Sequence, residues 1–257
     1  MKGVLKPMLQ IGFKCNRGVV RKNNEDACFV IPNQDVYIVA DGVGGNNSGE
    51  IASSTAVESL ASFVKANDLG LCGSPDEIFG FFTEALDIAN RRVFEMGRED
   101  SACRGMASTV VMSYINGGSA YLANVGDSRV YLYRDGQLLQ LTEDHTYVNT
   151  LLKAGVISRE QAAMDDRKNV ITKALGAEVT VEPDFFQVNF IKDDVFIICT
   201  DGLYDEVDED EMKKIIEENP SMSDVCAAMI SAANENGGHD NITVISLKVT
   251  EEDVDEQ

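Results

Sequence analysis

Five aspartates of this chain stand beside glycine or in tight, turn-like strings, each next to an apolar run: Asp26, Asp41, Asp127, Asp201 and Asp240. The strings are Asn23-Asn24-Glu25-Asp26, Asp41-Gly42-Val43-Gly44-Gly45, Gly126-Asp127-Ser128-Arg129, Asp201-Gly202-Leu203 and Gly238-His239-Asp240-Asn241. Carboxylates gathered from such distant segments repel one another unless a hard cation lies between them. The pattern points to a site for more than one Mg²⁺ or Mn²⁺ ion, and so to phosphate chemistry.

Asp41 ends the run Val36–Ala40, and three glycines follow within four residues. Small residues there let a backbone carbonyl approach a metal, with Gly42 the natural donor. Asp201-Gly202 repeats the arrangement after Phe196–Thr200, and Asp240-Asn241 precedes the last apolar run, where Asn241 suits an Asx turn. Any one of these strings is also compatible with an ordinary turn. With only two histidines and no Cys/His cluster, tetrahedral zinc does not fit, and all-oxygen ligation selects Mg²⁺, Mn²⁺ or Ca²⁺. The acidic stretch 201–210 lacks the spacing of an EF-hand loop, and no Walker lysine follows Gly44-Gly45. Arg21, five residues before Asp26, has the planar fork that holds two phosphate oxygens; its plain alternative is a solvent-facing surface arginine.

The elements that would carry these residues are legible as periodicities. β-Branched and aromatic runs predict strands over Met8–Lys14, Ala27–Ile31, Val36–Ala40, Thr109–Ile115, Ser119–Val125, Val130–Arg134, Phe185–Phe190, Val195–Thr200 and Thr243–Val249. Asp135-Gly136 and Asn116-Gly117-Gly118 read as hairpin turns. Helical spacing marks Ser48–Ala66, and a second helix opens at Ser74-Pro75-Asp76-Glu77 like a capping box. Further helices fit Tyr147–Ala154, Glu209–Glu218 and Ser221–Asn236. Strands and helices cluster without strict alternation, so packed sheets covered by helices are expected over a doubly wound parallel fold.

The 257 residues suit one domain, with no repeat and no Pro-, Gly- or Ser-rich linker. Acidic residues outnumber basic ones 43 to 22, a net charge of −21, which disfavours nucleic acid and anionic membranes as partners. No apolar run approaches the length of a membrane span, and the start of the chain lacks a signal-peptide pattern. The six cysteines show no CxxC pair and read as reduced core thiols of a cytoplasmic protein. The final segment 251–257 reads as a solvated, disordered acidic tail.

Taken in order, the strings resemble the metal-dependent protein phosphatases, the type 2C serine/threonine family, in its compact bacterial form. The resemblance runs through Gly18–Asp26, Asp41–Gly45, Gly49–Ser53, Gly105–Thr109, Val125–Arg129, Leu141–His145, Asn169–Gly176, Cys199–Leu203 and Asp240–Val244. It implies an α+β fold, a central β-sandwich of two mainly antiparallel sheets flanked by helix pairs in α-β-β-α layers. It implies a single catalytic domain over 1–250 with a mobile flap at about 146–167. Two ions, Mn²⁺ or Mg²⁺, would be held with Asp41 bridging, Gly42 giving its carbonyl, and Asp201 and Asp240 on one ion. Glu25 and Asp26 would act through metal waters, Asp127 with Asp201 would hold a third ion, and Arg21 would grip the substrate phosphate. The reaction implied is in-line attack on phosphorus by a water that the two ions bring towards ionisation.

The chain departs from the family pattern in two places. Asn46 stands where family members often carry His after the glycines, and Met164–Asn169 stands where His-Pro is common in the flap. His145 is then a candidate substitute acid, although its place near the flap base also suits a structural role; His239 belongs to a turn. The expected substrates are phosphoserine and phosphothreonine proteins, including a bacterial serine/threonine kinase and its targets, with basic phosphosites favoured by the acidic surface. A monomer is expected. The alternatives are a specialist for one regulatory phosphoprotein and a pseudophosphatase that binds without turnover.

Overall fold

Residues 8–45 and 48–250 are described by the structure, a computed structural model. The strands are β1 (Met8–Asn16), β2 (Asp26–Ile31), β3 (Val36–Val43), β4 (Ala107–Ser108), β5 (Val110–Asn116), β6 (Ser119–Val125), β7 (Arg129–Arg134), β8 (Gln137–Gln140), β9 (Asp184–Asn189), β10 (Val195–Cys199) and β11 (Ile242–Thr250). The helices are α1 (Ser48–Ala66), α2 (Pro75–Glu99), α3 (Tyr147–Lys153), α4 (Arg159–Met164), α5 (Asp201–Tyr204), α6 (Glu209–Glu218) and α7 (Met222–Glu235). One sheet runs β1-β11-β10-β7-β8, and the other β2-β3-β5-β6-β9 with β4 on β3. Every strand pair is antiparallel.

The period of two along each strand sets the layers. In β3, Val36, Ile38 and Ala40 pack under α1 and α2, while Tyr37 and Val39 face the other sheet. In β10, Val195, Ile197 and Cys199 face α5–α7, while Phe196 and Ile198 face inward. Three apolar clusters result, one between the sheets and one under each helical layer. Fully buried Leu60, Phe82 and Leu86 anchor the α1–α2 layer, each contributing roughly 1.5–3 kcal/mol. The expected α-β-β-α sandwich is the fold observed.

Local chemistry explains the helix bounds. α1 occupies the predicted 48–66. Ser74 caps α2 by accepting the Glu77 amide, with Pro75 at the first helical position. Glu77 returns its carboxylate to the Gly73 amide, not to Ser74, so the box closes one residue early.

Several expectations are corrected. Asp201-Gly202, read as a turn after a strand, opens the helical turn α5. Within the stretch expected as a flap, α4 is not among the expected helices; its Ser158 and Gln161 form a full capping box. The cysteines are all free, but only Cys103, Cys199 and Cys226 are buried; Cys28 and Cys72 are half-buried and Cys15 is exposed. The departure at Asn46 and the acidic tail at 251–257 lie outside the described residues.

Candidate metal centre

Strand parity carries the acidic residues to one end of the sandwich. Asp41 continues the inward series Tyr37, Val39, and Asp26 continues the inward series Val30, Cys28. The two are direct register partners on β2 and β3. Asp201 starts α5 directly after β10, and Asp240 lies just before β11. A cleft of about 300 Å³ at this end is lined by Arg21, Glu25, Asp41, Gly42, Asn169, Asp201 and Asp240, among others.

Backbone clamps hold the carboxylates in place. The Asp41 amide donates to Thr109 Oγ1 at 2.9 Å, and its carbonyl accepts from the Thr109 amide and from Ser108 Oγ. Thr109 Oγ1 in turn pairs with Ser128 Oγ at 2.8 Å, next to Asp127. Thr200 Oγ1 donates to Asp26 Oδ2 at 2.9 Å and accepts from the Thr243 amide, tying β2 of one sheet to β10 and β11 of the other. Gly42 packs so closely that an added Cβ would sit 1.9 Å from the Gly49 carbonyl oxygen. At Gly202 an added Cβ would meet the Asn241 carbonyl at 2.0 Å, so α5 and the 240–241 turn touch backbone to backbone.

Asn241 does something its sequence context did not reveal. The local turn is made by Asp240, whose Oδ1 accepts the Asn241 amide at 2.7 Å. The Asn241 side chain instead crosses to the segment 17–25. Its Nδ2 donates to the Arg17 and Asn23 carbonyls, and its Oδ1 accepts the Glu25 amide at 2.7 Å. Thr109, Ser128, Thr200 and Asn241 are thus positioning residues that the sequence reading passed over or misassigned. The one available signal was a hydroxyl or amide at inward parity beside a strand-end aspartate.

The electrostatics are those of crowded anions. Burial pushes Asp41 and Asp26 well above the carboxylate range, and neighbouring aspartates push them further. Asp201 is raised to about 6, first by burial and then by Asp240 and Asp205. Asp127 is raised to about 7, again first by burial and then by Asp201 and Asp144. Glu25 is also raised, mainly by burial. Asp26, Asp127 and Asp201 each keep one buried carboxylate oxygen with no hydrogen-bond partner. Orphaned anionic oxygens are costly, and hard cations are the ligands that satisfy such a donor set. Among the described residues, no three acidic, histidine or cysteine side chains already close into a ligand shell. Asp240 Oδ2 accepts from Arg21 Nη2 at 2.6 Å.

A sequence profile for protein phosphatase 2C matches residues 10–242. The chain belongs to the protein phosphatase 2C family. It is 39% identical over 239 residues to the serine/threonine phosphatase stp of Listeria welshimeri, covering 92% of this chain and 94% of that protein. The Streptococcus agalactiae serine/threonine phosphatase superposes with a TM-score of 0.88 at 32% identity, covering 94% of this chain and 100% of the other. The catalytic domain of the phosphatase PstP, solved with two manganese ions, gives 0.84 at 29% identity over 96% and 100%.

Two further residues of this phosphatase 2C chain take definite places. Arg129 forms a bidentate pair with Asp144 and lies 3.5 Å over the Tyr204 ring, whose hydroxyl donates to the Asp127 carbonyl. His145 lies outside the cleft. Its Nδ1 accepts the Gly126 amide at 3.0 Å, its own amide donates to the Gly126 carbonyl, and Nε2 lies 3.2 Å from Asp184 Oδ2. Burial lowers its pKa. The substituted flap segment is held by Asp165–Arg167 and by Lys168 and Asn169 on Asp205, with Asn169 at the cleft wall.

Proposed function

We propose that this chain is a metal-dependent protein-serine/threonine phosphatase that hydrolyses phosphoserine and phosphothreonine on proteins. The observation that carries this reading is the cleft where Asp41, Asp201 and Asp240 meet Arg21, with Asp26 and Asp127 close enough behind Asp41 to raise its pKa and with orphaned oxygens on Asp26, Asp127 and Asp201. Membership of the phosphatase 2C family supports it, as do the names of the relatives. The proposed holders of two ions, Mn²⁺ or Mg²⁺, are Asp41, the Gly42 carbonyl, Asp201 and Asp240, with Glu25 and Asp26 acting through water. Asp127 together with Asp201 is the proposed place of a third. Bound there, the cations supply a water poised to ionise and neutralise charge on the phosphate oxygens.

The chain's own residues do the rest. Asp26, fixed by Thr200, orients water on the inner side of the cleft. Arg21, at the wall of the cleft, would grip two phosphate oxygens with its planar fork. A single catalytic domain over 1–250, with a flap at about 146–167 facing the substrate, is the proposed organisation. No described helix is long and apolar enough to cross a membrane; a cytoplasmic monomer acting on a serine/threonine kinase and its targets is the proposed setting.

The test is phosphate release from a phosphothreonine peptide with Mn²⁺, with Mg²⁺ and with EDTA, using Asp201→Asn as control. Release that needs metal and disappears in the variant is expected. A chain that binds ions but releases no phosphate under any metal is a pseudophosphatase, and the proposal fails.

A further inference from the structure

Cys15 and Cys28 lie on strands of different sheets, yet their sulfurs are 3.3 Å apart. Strand parity explains the meeting. Cys15 follows Leu9 and Ile11 along β1 on the inner face of its sheet, and Cys28 precedes Val30 on the inner face of β2. The apolar core between the sheets ends there, and the two thiols close it at the edge where β1 passes β2. Cys15 is exposed and Cys28 half-buried, so one sulfur meets solvent while the other stands behind it. The hydrogen bond from Cys28 holds the Cys15 thiol at about 7, which gives it thiolate character at neutral pH. Cys103, Cys199 and Cys226 are buried in helical layers and core, and Cys72 sits apart between the two long helices.

We propose that Cys15 and Cys28 are a reversible redox modification site whose oxidant is a hydroperoxide. The Cys15 sulfur attacks the peroxide oxygen; an S–O bond forms, the O–O bond breaks, and the alcohol or water half leaves with a proton. The Cys28 sulfur then attacks the Cys15 sulfur; an S–S bond forms, the S–O bond breaks, and the oxygen departs as water with the Cys28 proton. The two thiols lose two electrons and the hydroperoxide gains them.

The bond also has a reach into the cleft. Closing it draws the sulfurs from 3.3 Å to a bonding distance of about 2 Å. It pins the ends of the segment 16–27, which carries Arg21, Glu25 and Asp26. Cys28 is two residues from Asp26 on one strand, and Cys15 is the register partner of Thr243, close to Asp240 in the chain. A shift of this size at the reacting groups costs on the order of tenfold or more in rate.

The experiment treats the reduced full-length chain with equimolar hydrogen peroxide, alkylates remaining thiols, and maps peptides without reductant. The expected result is one intramolecular link between the Cys15 and Cys28 peptides, reversed by dithiothreitol, absent in Cys15→Ser and in Cys28→Ser, and unaffected by Cys72→Ser. Sulfinic acid on Cys15 without a link, a link to another cysteine or between chains, or no reaction faster than that of Cys72 overturns the proposal. This readout is independent of the phosphatase reading. Phosphate release by the linked chain is expected to fall on the order of tenfold and to return with dithiothreitol. A linked chain at full rate overturns the coupling to the cleft.

Discussion

Arg21 Nη2 donates to Asp240 Oδ2 at 2.6 Å, joining a proposed phosphate ligand to a proposed metal ligand. The guanidinium is a counter-charge to Asp240, so it competes with a cation for the same carboxylate oxygen. The pair is half-exposed, so its strength is at most about 1 kcal/mol. Arg21→Ala is expected to tighten Mn²⁺ binding by up to about fivefold while raising KM for a phosphopeptide more than about tenfold. Calorimetric titration with Mn²⁺ and steady-state kinetics check the two halves separately. Weaker metal binding in the variant would show that Arg21 is not Asp240's competitor ligand.

Asp201 tests the cost of gathering the carboxylates. A carboxyl moved from 3.8 to about 6 disfavours its ionised state by about 3 kcal/mol above that pH. Asp201→Asn is therefore expected to stabilise the ion-free chain by up to about 3 kcal/mol near pH 8, while cutting metal-dependent phosphate release by about 10²-fold or more. Urea unfolding in EDTA and phosphate release with Mn²⁺ give the two numbers. A variant less stable than the parent in EDTA contradicts the crowding argument.

The same groups set the pH dependence of the ion-free fold. Asp127 and Asp201 are raised to about 7 and about 6 from 3.8, so the folded chain holds protons that the unfolded chain has released. Their contribution is fully present below about pH 3.8 and is lost as pH rises through about 6 and about 7. In EDTA the melting temperature is expected to fall between about pH 4 and about pH 7 and to level off above that, against the usual trend for paired carboxylates. Mn²⁺ displaces those protons, so its affinity rises across the same window and the melting trend flattens. Melting curves in EDTA and in Mn²⁺ across this range are the check; a rising curve in EDTA refutes the assignment.

Much of this was legible because strand parity is local. The alternation in Val36–Ala40 already placed Asp41 on the Tyr37–Val39 side, and helical spacing with Ser74-Pro75 marked where α1 and α2 run. What joins the strand ends was not legible. Thr200 meets Asp26 across 174 positions, and Asn241 meets Glu25 across 216. A period of two shows which face a residue takes but not which distant strand end lies opposite. Asn241 therefore read as a local Asx turn when its side chain spans to another segment. Cys15 read as core for a related reason: the pattern does not show that β1 is an edge strand, on which Cys15 is exposed.

His145 separates a proton donor from a clamp. Its Nδ1 and its own backbone amide both bond Gly126, whose φ of 108° lies in the region that glycine alone adopts freely. His145→Ala is expected to cost about 1–3 kcal/mol of stability through the orphaned Gly126 amide. It is expected to leave the shape of the pH–rate profile unchanged with a phosphothreonine peptide. Loss of the alkaline limb of that profile would instead make His145 the acid that protonates the leaving oxygen.

Asn241 is the most economical single test of how the site is assembled. One amide satisfies the carbonyls of Arg17 and Asn23 and the amide of Glu25, and so sets the height of the whole Arg21 segment over the cleft. Asn241→Ala removes three hydrogen bonds at about 1 kcal/mol each, a loss of about 3 kcal/mol. Asn241→Asp is nearly isosteric but acceptor-only when ionised, so it keeps the Glu25 bond, sets a charge against two carbonyls and stands beside Asp240. Both variants are expected to lower kcat/KM on a phosphopeptide on the order of tenfold or more, because Arg21 and Glu25 lose their registration with Asp41. Since all three bonds of the Asn241 side chain go to the segment 17–25, Mn²⁺ affinity at Asp41 and Asp201 is expected to change far less than kcat/KM. Kinetics and Mn²⁺ titration on the same preparations decide the matter. A variant that loses metal and turnover in equal measure would make Asn241 a ligand, not the brace that its three bonds describe.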